Sequence, residues 1–487
     1  MSEEMDWREM RARLVAQESP ASDTAGGSSY VYESPLIEKG SILLGGTKQA
    51  FGFALRQQFF HKSVMLLLQH DDGFTKGIIL NRPSALELDG WRVWCGHGQV
   101  AEGGMFVGPE NARGQLEINA LHSLDGFLAD RLSTKVIKGV SVTSLDGAKA
   151  LVAAGTAKKA DFWVCVGYSG WAPGQLAAEV EQRDSWYLAS ADSGTLLTEL
   201  LRQAREPSAG AAVADNGIST WSRLMSGIGR NADVRQSEGS LADRMLTEWV
   251  RAHLLPRKPM TDVARAALSV GEGAVLCSTV AAESGKPTDR FLLQDQFLHK
   301  AVLLVLTAGD EGEAGLVRAC ILNRPTANVV RFNTPGNPRR LVPFCGNRKI
   351  VDEVWLHHRS ALGGQPVGDS GIFRLPAAEA AAKLMAGDAM ASDFLLVGGV
   401  VEFRRDELSS YLAAGEMRVL PPGDELAGVW PRVWSLTSEE GDGISDGTDL
   451  WWVASQCGSE QLTAGAPSSL ADDALEEWLK WFARASD

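Results

Sequence analysis

The stretch Gly167-Tyr168-Ser169-Gly170-Trp171-Ala172-Pro173-Gly174-Gln175-Leu176 lies between an apolar run and a segment with helical spacing. The preceding run, Asp161 to Val166, has the β-branched and aromatic bias of a buried strand, and Leu176 to Gln182 has the spacing of a helix. We therefore predict a strand-turn-helix hinge. Its glycines permit backbone conformations that a Cβ would block, Pro173 suits the start of a helix, and Trp171 offers a ring that anchors the turn. Such a hinge serves either a ligand or the fold alone.

A second segment, Gly77-Ile78-Ile79-Leu80-Asn81-Arg82-Pro83, lies upstream of the hinge. Together the two segments resemble the AlgH/YqgE family, whose members carry G-x-V-I-N-R-P followed much later by G-Y-x-G-W-x-x-G-Q-L. The resemblance implies an α+β fold in which a small closed β-barrel, or bifurcated sheet, is surrounded by helices. The family is often labelled a transcriptional regulator, and the resemblance implies no settled biochemical activity.

The chain is long and acidic. Its 487 residues exceed one ordinary hydrophobic core and predict two to four domains. The 47 basic and 61 acidic side chains give a net charge of -14, which opposes attraction to phosphate backbones. Direct binding of nucleic acid is therefore not expected. Protein partners are expected instead, with peripheral association to a larger complex as one form of that binding.

The cysteines show no metal-binding or disulfide pattern. The chain has six, none in C-x-x-C spacing, and they indicate reduced thiols in a reducing compartment. His357 and His358 are adjacent on a predicted strand, so their rings point to opposite faces and suit one metal ion poorly. Phosphate-cradle motifs are absent. We predict no metal and no cofactor, and no apolar run approaches the ~20 residues that span a bilayer.

The second half of the chain repeats motifs of the first. Gln58-Phe59-Phe60-His61-Lys62-Ser63-Val64 matches Gln296-Phe297-Leu298-His299-Lys300-Ala301-Val302. Four further collinear matches pair Leu80 to Pro83 with Leu322 to Pro325, Cys95-Gly96 with Cys345-Gly346, Asp161-Phe162 with Asp393-Phe394, and Ser240 to Asp243 with Ser469 to Asp472. The period is that of a whole domain, so we predict two tandem AlgH-like domains.

Domain boundaries follow from this period. Residues 1-29 form a helix and a small-residue linker, residues 30-258 the first domain, and residues 259-487 a second domain with a degenerate hinge. Where the first half has Trp171, Gly174 and Gln175, the second has no counterparts. The charged N-terminal helix, with an apolar stripe that includes Trp7 and Leu14, is predicted to dock on a surface. It is similar to plant and algal family members, which implies the plastid stroma; the cytoplasm is the alternative.

Asn81 and Arg82, with Asn323 and Arg324, each follow a predicted strand and precede a proline. The guanidinium fork of Arg could bind a carboxylate or phosphate ligand. The alternative, which we favour, is that these side chains form hydrogen bonds with backbone carbonyl groups. Both halves keep the Asn-Arg-Pro triplet, although the second half has lost the hinge residues. Tyr168, Trp171 and Gln175 complete the set of candidate binding residues.

No catalytic constellation is evident. His61 and His299 lie beside lysines, but no nucleophile motif and no recurring carboxylate accompanies them in the sequence. Cys95 and Cys345 each end a predicted strand before a glycine, where a nearby cation would make the thiol reactive. We favour buried, inert cysteines at both positions.

These observations favour a non-enzymatic binding or scaffolding protein, with a component of a plastid assembly as one form of that role. Two alternatives stay open. One is a redox-responsive or transcription-linked regulator, and the other is an enzyme with an unrecognised pocket at the hinge of the first domain.

Overall fold

The structure, a computed structural model, describes residues 7–18, 29–47, 53–96, 116–182, 185–205, 216–255, 270–281, 288–309, 315–330, 340–343, 353–420, 429–435, 447–457 and 469–483. The chain divides into two compact units, Met1–Pro259 and Met260–Asp487. Both contain sheets and helices, so the fold class is α+β. The closed barrel implied by the family resemblance stays a prediction.

Two sheets form the frame of the first unit. Its described strands are β1 (Val31–Glu33), β2 (Ile42–Gly45), β3 (Val64–His70), β4 (Thr75–Ile79), β5 (Glu87–Leu88), β6 (Trp91–Gly96), β7 (Ile118–His122), β8 (Thr134–Ile137), β9 (Val140–Ser144), β10 (Trp163–Val166), β11 (Ser169–Trp171) and β12 (Trp186–Ala191). One sheet has the order β1-β12-β2-β3-β4-β11, and the other has the order β5-β6-β10-β7-β9-β8.

Helices and short turns connect and cover these strands. The described helices of the first unit are Trp7–Glu18, Phe53–Arg56, Phe127–Leu132, Leu145–Ala153, Gln175–Glu181, Ser193–Arg205, Ile218–Gly227, Asn231–Gln236 and Leu241–His253, and its 3-10 turns are Gln58–Phe60 and Lys159–Asp161.

The central strands of the first sheet are buried on both faces. Successive side chains of a strand point to opposite sides, so Ile42 and Leu44 enter one apolar cluster and Leu43 enters another. Trp171 belongs to the second cluster, together with Trp186. The hinge is thereby packed onto the sheet through its largest ring.

The second unit repeats the order of the first sheet's strands. Its described strands are β13 (Val275–Ser278), β14 (Val302–Ala308), β15 (Leu316–Ile321), β16 (Pro325–Val330), β17 (Arg340–Pro343), β18 (Glu353–His357), β19 (Gln365–Pro366), β20 (Phe373–Leu375), β21 (Phe394–Gly398), β22 (Val401–Arg404) and β23 (Met417–Val419). The order β23-β13-β14-β15-β22 corresponds to β12-β2-β3-β4-β11 of the first unit. Both hairpins also have an irregular register, between Leu67 and Gln69 in β3 and between Val305 and Thr307 in β14.

Smaller sheets and helices complete the second unit. The remaining sheets are β16-β17 and β19-β20-β18-β21. The described helices are Ala377–Ala386, Arg405–Ala413, Val429–Ser435, Thr448–Gln456 and Leu470–Trp478, the last followed by a π-helical turn Leu479–Ala483, and the 3-10 turns are Gln296–Leu298, Ser360–Leu362 and Ala391–Asp393.

The structure corrects two sequence predictions. The hinge contains a strand of its own, β11, because Gly167 adopts a φ of 77° and the chain then pairs with β4. The N-terminal helix is docked through Arg8 and Arg11, which contact Glu38, while Trp7 and Leu14 are exposed.

Candidate functional site

Asn81 is a buried junction between three backbone segments of the first unit. Its Oδ1 accepts a hydrogen bond from the Val64 amide at 2.7 Å. Its Nδ2 donates to the Lys62 carbonyl at 2.9 Å and to the Gly217 carbonyl at 2.7 Å. Gly217 has a φ of 80°, and a Cβ there would lie 1.8 Å from the Asn81 carbonyl oxygen. The amide therefore joins the start of β3 to the start of a distant helix.

Arg82 completes the same junction from a fully buried position. Its Nη1 donates to the carbonyls of Asn81, at 2.8 Å, and Asn216, at 3.1 Å. Its Nη2 donates to the His61 carbonyl. The guanidinium therefore donates to backbone carbonyl groups. This is the alternative that we favoured from the sequence of the Asn-Arg-Pro triplet.

The second unit contains the same junction. Asn323 accepts from the Val302 amide at 2.9 Å and donates to the carbonyls of Lys300 and Gly447, both at 2.9 Å. Arg324 is fully buried and donates to the carbonyls of Phe297, Asn323 and His299.

A buried charge cluster adjoins the junction in the first unit. Lys62 is 1% exposed, and its Nζ lies 2.8 Å from Oδ1 of Asp243. The Nε2 atom of His61 lies 2.7 Å from the same carboxylate oxygen. Lys62 Nζ also lies 5.2 Å from the centre of the Trp221 ring. The carboxylate therefore balances the lysine charge inside the protein.

The pKa values of His61 and Asp243 are both lowered, for different physical reasons. Burial lowers the pKa of His61, and the hydrogen bond to Asp243 opposes part of that shift. Burial alone raises the pKa of Asp243, but the hydrogen bonds from His61 and Lys62 outweigh it, so that the pKa is lowered. Asp243 also lies in the first turn of the helix Leu241–His253, where the helix dipole favours an anion.

The second unit has the corresponding cluster of His299, Lys300 and Asp472. The Asp472 Oδ1 atom lies 3.1 Å from Nε2 of His299 and 2.5 Å from Nζ of Lys300. Lys300 Nζ lies 5.3 Å from the centre of the Trp451 ring. The prediction that no carboxylate recurs with the two histidines is therefore wrong, because each carboxylate reaches its histidine from a helix over 170 residues away. The repeated Ser-Leu-Ala-Asp motif was the signal that sequence reasoning had available.

The hinge of the first unit is held by one carboxylate that the sequence did not single out. Oε2 of Glu179 accepts hydrogen bonds from the indole nitrogens of Trp171 and Trp186, both at 2.9 Å. Oε1 accepts from Nε2 of Gln175 at 2.9 Å. Gln175 in turn accepts from the Ala172 amide at 3.1 Å. The turn at residues 172–175 is exposed, while Trp171 beneath it is buried.

Tyr168 lies at the other end of the hinge and is half-buried. Lys76 Nζ lies 4.7 Å from the centre of its ring and pairs with Glu117. Burial lowers the pKa of Lys76. Tyr168 is therefore in a small charged cluster with Lys76, whereas Trp171 and Gln175 share the carboxylate of Glu179.

Cys95 lies in β6, and its backbone pairs with that of Cys165 in β10. Cys345 lies outside the described residues. The redox role of both thiols stays a prediction. Cys165, Cys277 and Cys320 are buried cysteines outside any disulfide, and Cys457 is partly buried.

Neither a metal-binding cluster nor a membrane-spanning helix is found in the part of the chain that the structure describes. Among these residues, no group of three or more His, Cys, Asp or Glu side chains is placed to hold a metal ion. No described helix combines the length and apolarity needed to cross a bilayer. His357 is buried and stacks on Phe373, whereas His358 contacts Trp434.

Comparison with known sequences identifies the class of protein that has this α+β fold, this buried Asn-Arg junction and this hinge. A family model described as AlgH-like matches residues 52–209. A UPF0301 protein of Mycobacteroides abscessus is 30% identical over 191 residues, covering 37% of this chain and 84% of the relative. A UPF0301 protein of Streptomyces avermitilis is 31% identical over 145 residues, covering 29% of this chain and 72% of the relative.

The chain belongs to the AlgH-like UPF0301 family. The solution structure of AlgH from Pseudomonas aeruginosa aligns with 35% of this chain and 88% of that protein, at 20% identity and a TM-score of 0.26. The assignment rests on the sequence relatives, whose names state no activity.

Proposed function

We propose that this chain is a non-enzymatic binding or scaffolding protein made of two copies of an AlgH-like domain. The duplication is supported by the shared strand order, by the irregular register at the same place in the β3–β4 and β14–β15 hairpins, and by the repeated Asn-Arg junction. Shared detail of this kind follows most simply from one ancestral domain.

One observation carries the non-enzymatic part of the proposal. The polar side chains that both units keep are buried and bonded within the protein: Arg82 and Arg324 donate to backbone carbonyls, and His61 contacts Asp243. A general base must reach the proton that it removes from a substrate. Groups committed to backbone carbonyls and to a buried carboxylate serve the fold instead.

The binding surface that we assign is the exposed turn at residues 172–175 of the first unit. Trp171, Trp186 and Glu179 fix this turn from beneath. A turn held in one conformation binds at a lower entropic cost than a mobile one. The second unit has Arg404 at the position of Ala172, as the last residue of β22, the strand that corresponds to β11. The partner that we propose is a protein, in the plastid stroma or the cytoplasm, and the compartment rests on the resemblance of the N-terminal helix.

The test is quantitative capture of partners by the full-length protein and an Ala172→Arg variant. The substitution places the residue of the second unit on the exposed turn without removing a buried side chain. We expect recovery of specific partners to fall about tenfold, since a misplaced charge at an interface costs about 1.4 kcal/mol or more. Ala154→Arg, at another exposed position of the first unit, is the matched control.

If the wild type and Ala172→Arg capture partners equally and Ala154→Arg loses a partner, the binding surface lies away from the hinge. A turnover reaction that depends on Arg82 or Trp171 would overturn the non-enzymatic assignment. The redox-responsive and transcription-linked alternatives remain predictions.

A further inference from the structure

The second unit has a cleft where the first unit has its packed hinge. The cleft has a volume of about 230 Å³ and is formed by the turn before β14, by β22 and by the helix after it; it is lined by Asp295, Phe297, Leu298, Val400, Val401, Glu402, Phe403, Glu407 and Tyr411. Ligand pockets for drug-sized molecules measure roughly 300–1,000 Å³. The cleft therefore suits a group of side-chain size.

Smaller residues at corresponding positions explain why the cleft is open. Trp171 ends β11 opposite Thr75, and Phe403 occupies the corresponding position of β22, opposite Val317. The two 3-10 turns likewise end at Phe60 and at Leu298. In the first unit the Trp186 ring lies between Trp171 and Phe60. Its centre is 6.2 Å from the centre of the Trp171 ring and 5.8 Å from that of the Phe60 ring.

The residue corresponding to Trp186 in the second unit is Met417. Trp186 begins β12 opposite Gly45, the last residue of β2, and Met417 begins β23 opposite Ser278, the last residue of β13. A thioether side chain thus replaces an indole. The side chains at these three positions are smaller in the second unit, and the Tyr411 ring, which packs against Phe403 and Phe291, occupies part of the region and lines the cleft that is left.

The lining of the cleft combines aromatic rings with carboxylates. Its charged residues are Asp295, Glu402 and Glu407, and none of the lining residues is basic. Glu402 pairs with Arg318 at 2.6 Å at the exposed end. Glu407 accepts a hydrogen bond from the Tyr411 hydroxyl at 2.8 Å.

The Tyr411 ring already binds one cation. The guanidinium carbon of Arg290 lies 5.2 Å from its centre. Arg290 is itself balanced by Glu416, at 3.6 Å. Aromatic faces attract cations through the ring quadrupole, and carboxylates at a rim add to this attraction. Because Arg290 already engages the Tyr411 ring, the preference of the cleft for a positive ligand comes from the three carboxylates and the absence of basic residues in its lining.

We propose that this cleft binds an alkylammonium group, carried either by a free amine or by a lysine side chain of a partner protein. The apolar stem packs on Phe403 and Val401, and the ammonium is placed among the carboxylates. This inference deepens the proposed binding function. It rests on the proposed duplication, which pairs each position of the second unit with a position of the first. It assigns the second unit a ligand class of its own.

The test is saturation-transfer NMR of the full-length protein with n-butylammonium, using n-butanol as the neutral control. We expect transfer to the ammonium compound and not to the alcohol. Phe403→Trp restores the ring of the first unit and is expected to abolish transfer by filling the cleft. Glu407→Gln keeps the side-chain shape and is expected to weaken binding about tenfold. Glu379→Gln, on an exposed helix face, should have no effect.

A second arm distinguishes the two sources of the ligand. Tighter binding of the peptide Gly-Lys-Gly than of n-butylammonium indicates a protein side chain, and equal binding indicates a free amine; either result supports the cleft. Equal transfer from n-butanol, or unchanged binding in folded Phe403→Trp protein, would overturn the proposal. Partner capture at the first unit's turn is measured separately, so either proposal can fail alone.

Discussion

Lys62 and Asp243 are separated by 181 residues in the chain, yet Nζ of Lys62 lies 2.9 Å from Oδ2 of Asp243. The lysine also donates to the Ser237 carbonyl at 2.9 Å and has a φ of 49°. A lysine in the left-handed region is uncommon, because this backbone conformation costs energy. It persists only where contacts with the surrounding structure hold the residue in place. The ion pair supplies that fixation and ties the helix Leu241–His253 to the start of β3.

Replacing Asp243 by Asn should destabilise the first unit by about 3 kcal/mol, because it leaves the buried Lys62 ammonium without its balancing charge. Chemical denaturation followed by tryptophan fluorescence measures the change. The double variant Asp243→Asn with Lys62→Met is the control, and it should recover part of the loss. A single variant as stable as the wild type would show that the ion pair does not hold the helix.

Stability should decrease as the pH falls from 7 toward 5. Burial lowers the pKa values of His61 and His122 below their ordinary value of 6.5. The unfolded chain therefore takes up protons first, so the stabilisation is complete above pH 6.5 and is lost as the pH falls through the folded-state values. Thermal unfolding across this range measures it, and His122→Gln should flatten the dependence.

Two glycines with nearly the same φ should respond differently to alanine. Gly174, with a φ of 75°, has no atom within 4 Å of a built Cβ, so Gly174→Ala should cost about 1 kcal/mol from the backbone alone. Gly217→Ala forces a Cβ against the Asn81 carbonyl and should cost at least about 3 kcal/mol. The difference in the free energy of unfolding between the two variants is the measurement. Equal costs would contradict the close contact at Gly217.

Arg82→Lys should destabilise the first unit by about 2 kcal/mol, since one ammonium cannot reach the carbonyls of Asn81, Asn216 and His61 together. Capture of partners should be unchanged per folded molecule. A folded variant that lost its partners would instead give Arg82 a ligand-binding role.

Glu179→Ala removes the acceptor shared by the Trp171 and Trp186 indoles and should cost about 2 kcal/mol. The emission of the two tryptophans should change with it, since both rings are buried. Glu181→Ala, on the same helix, should leave stability and emission unchanged. A similar loss in both variants would indicate an effect on the helix and not on the indole contacts.

Much of the fold was predictable from local pattern. The apolar run Asp161 to Val166 located β10, because strand formation there depends on side chains that the sequence states directly. The hinge was located correctly as a special turn, but its strand β11 was missed. Only two residues of β11, Ser169 and Trp171, are buried, and its pairing with β4 depends on a partner distant in sequence.

The sequence by itself determined the family, the candidate triplets and the repeated motifs. Only the tertiary structure decided that Arg82 serves backbone carbonyls, that Asp243 and Glu179 are the balancing carboxylates, and that Phe403 opens a cleft where Trp171 closes one. The physical reason is the same in each case. A motif records residue type, whereas the role of a polar or aromatic side chain is set by which distant groups share its buried volume.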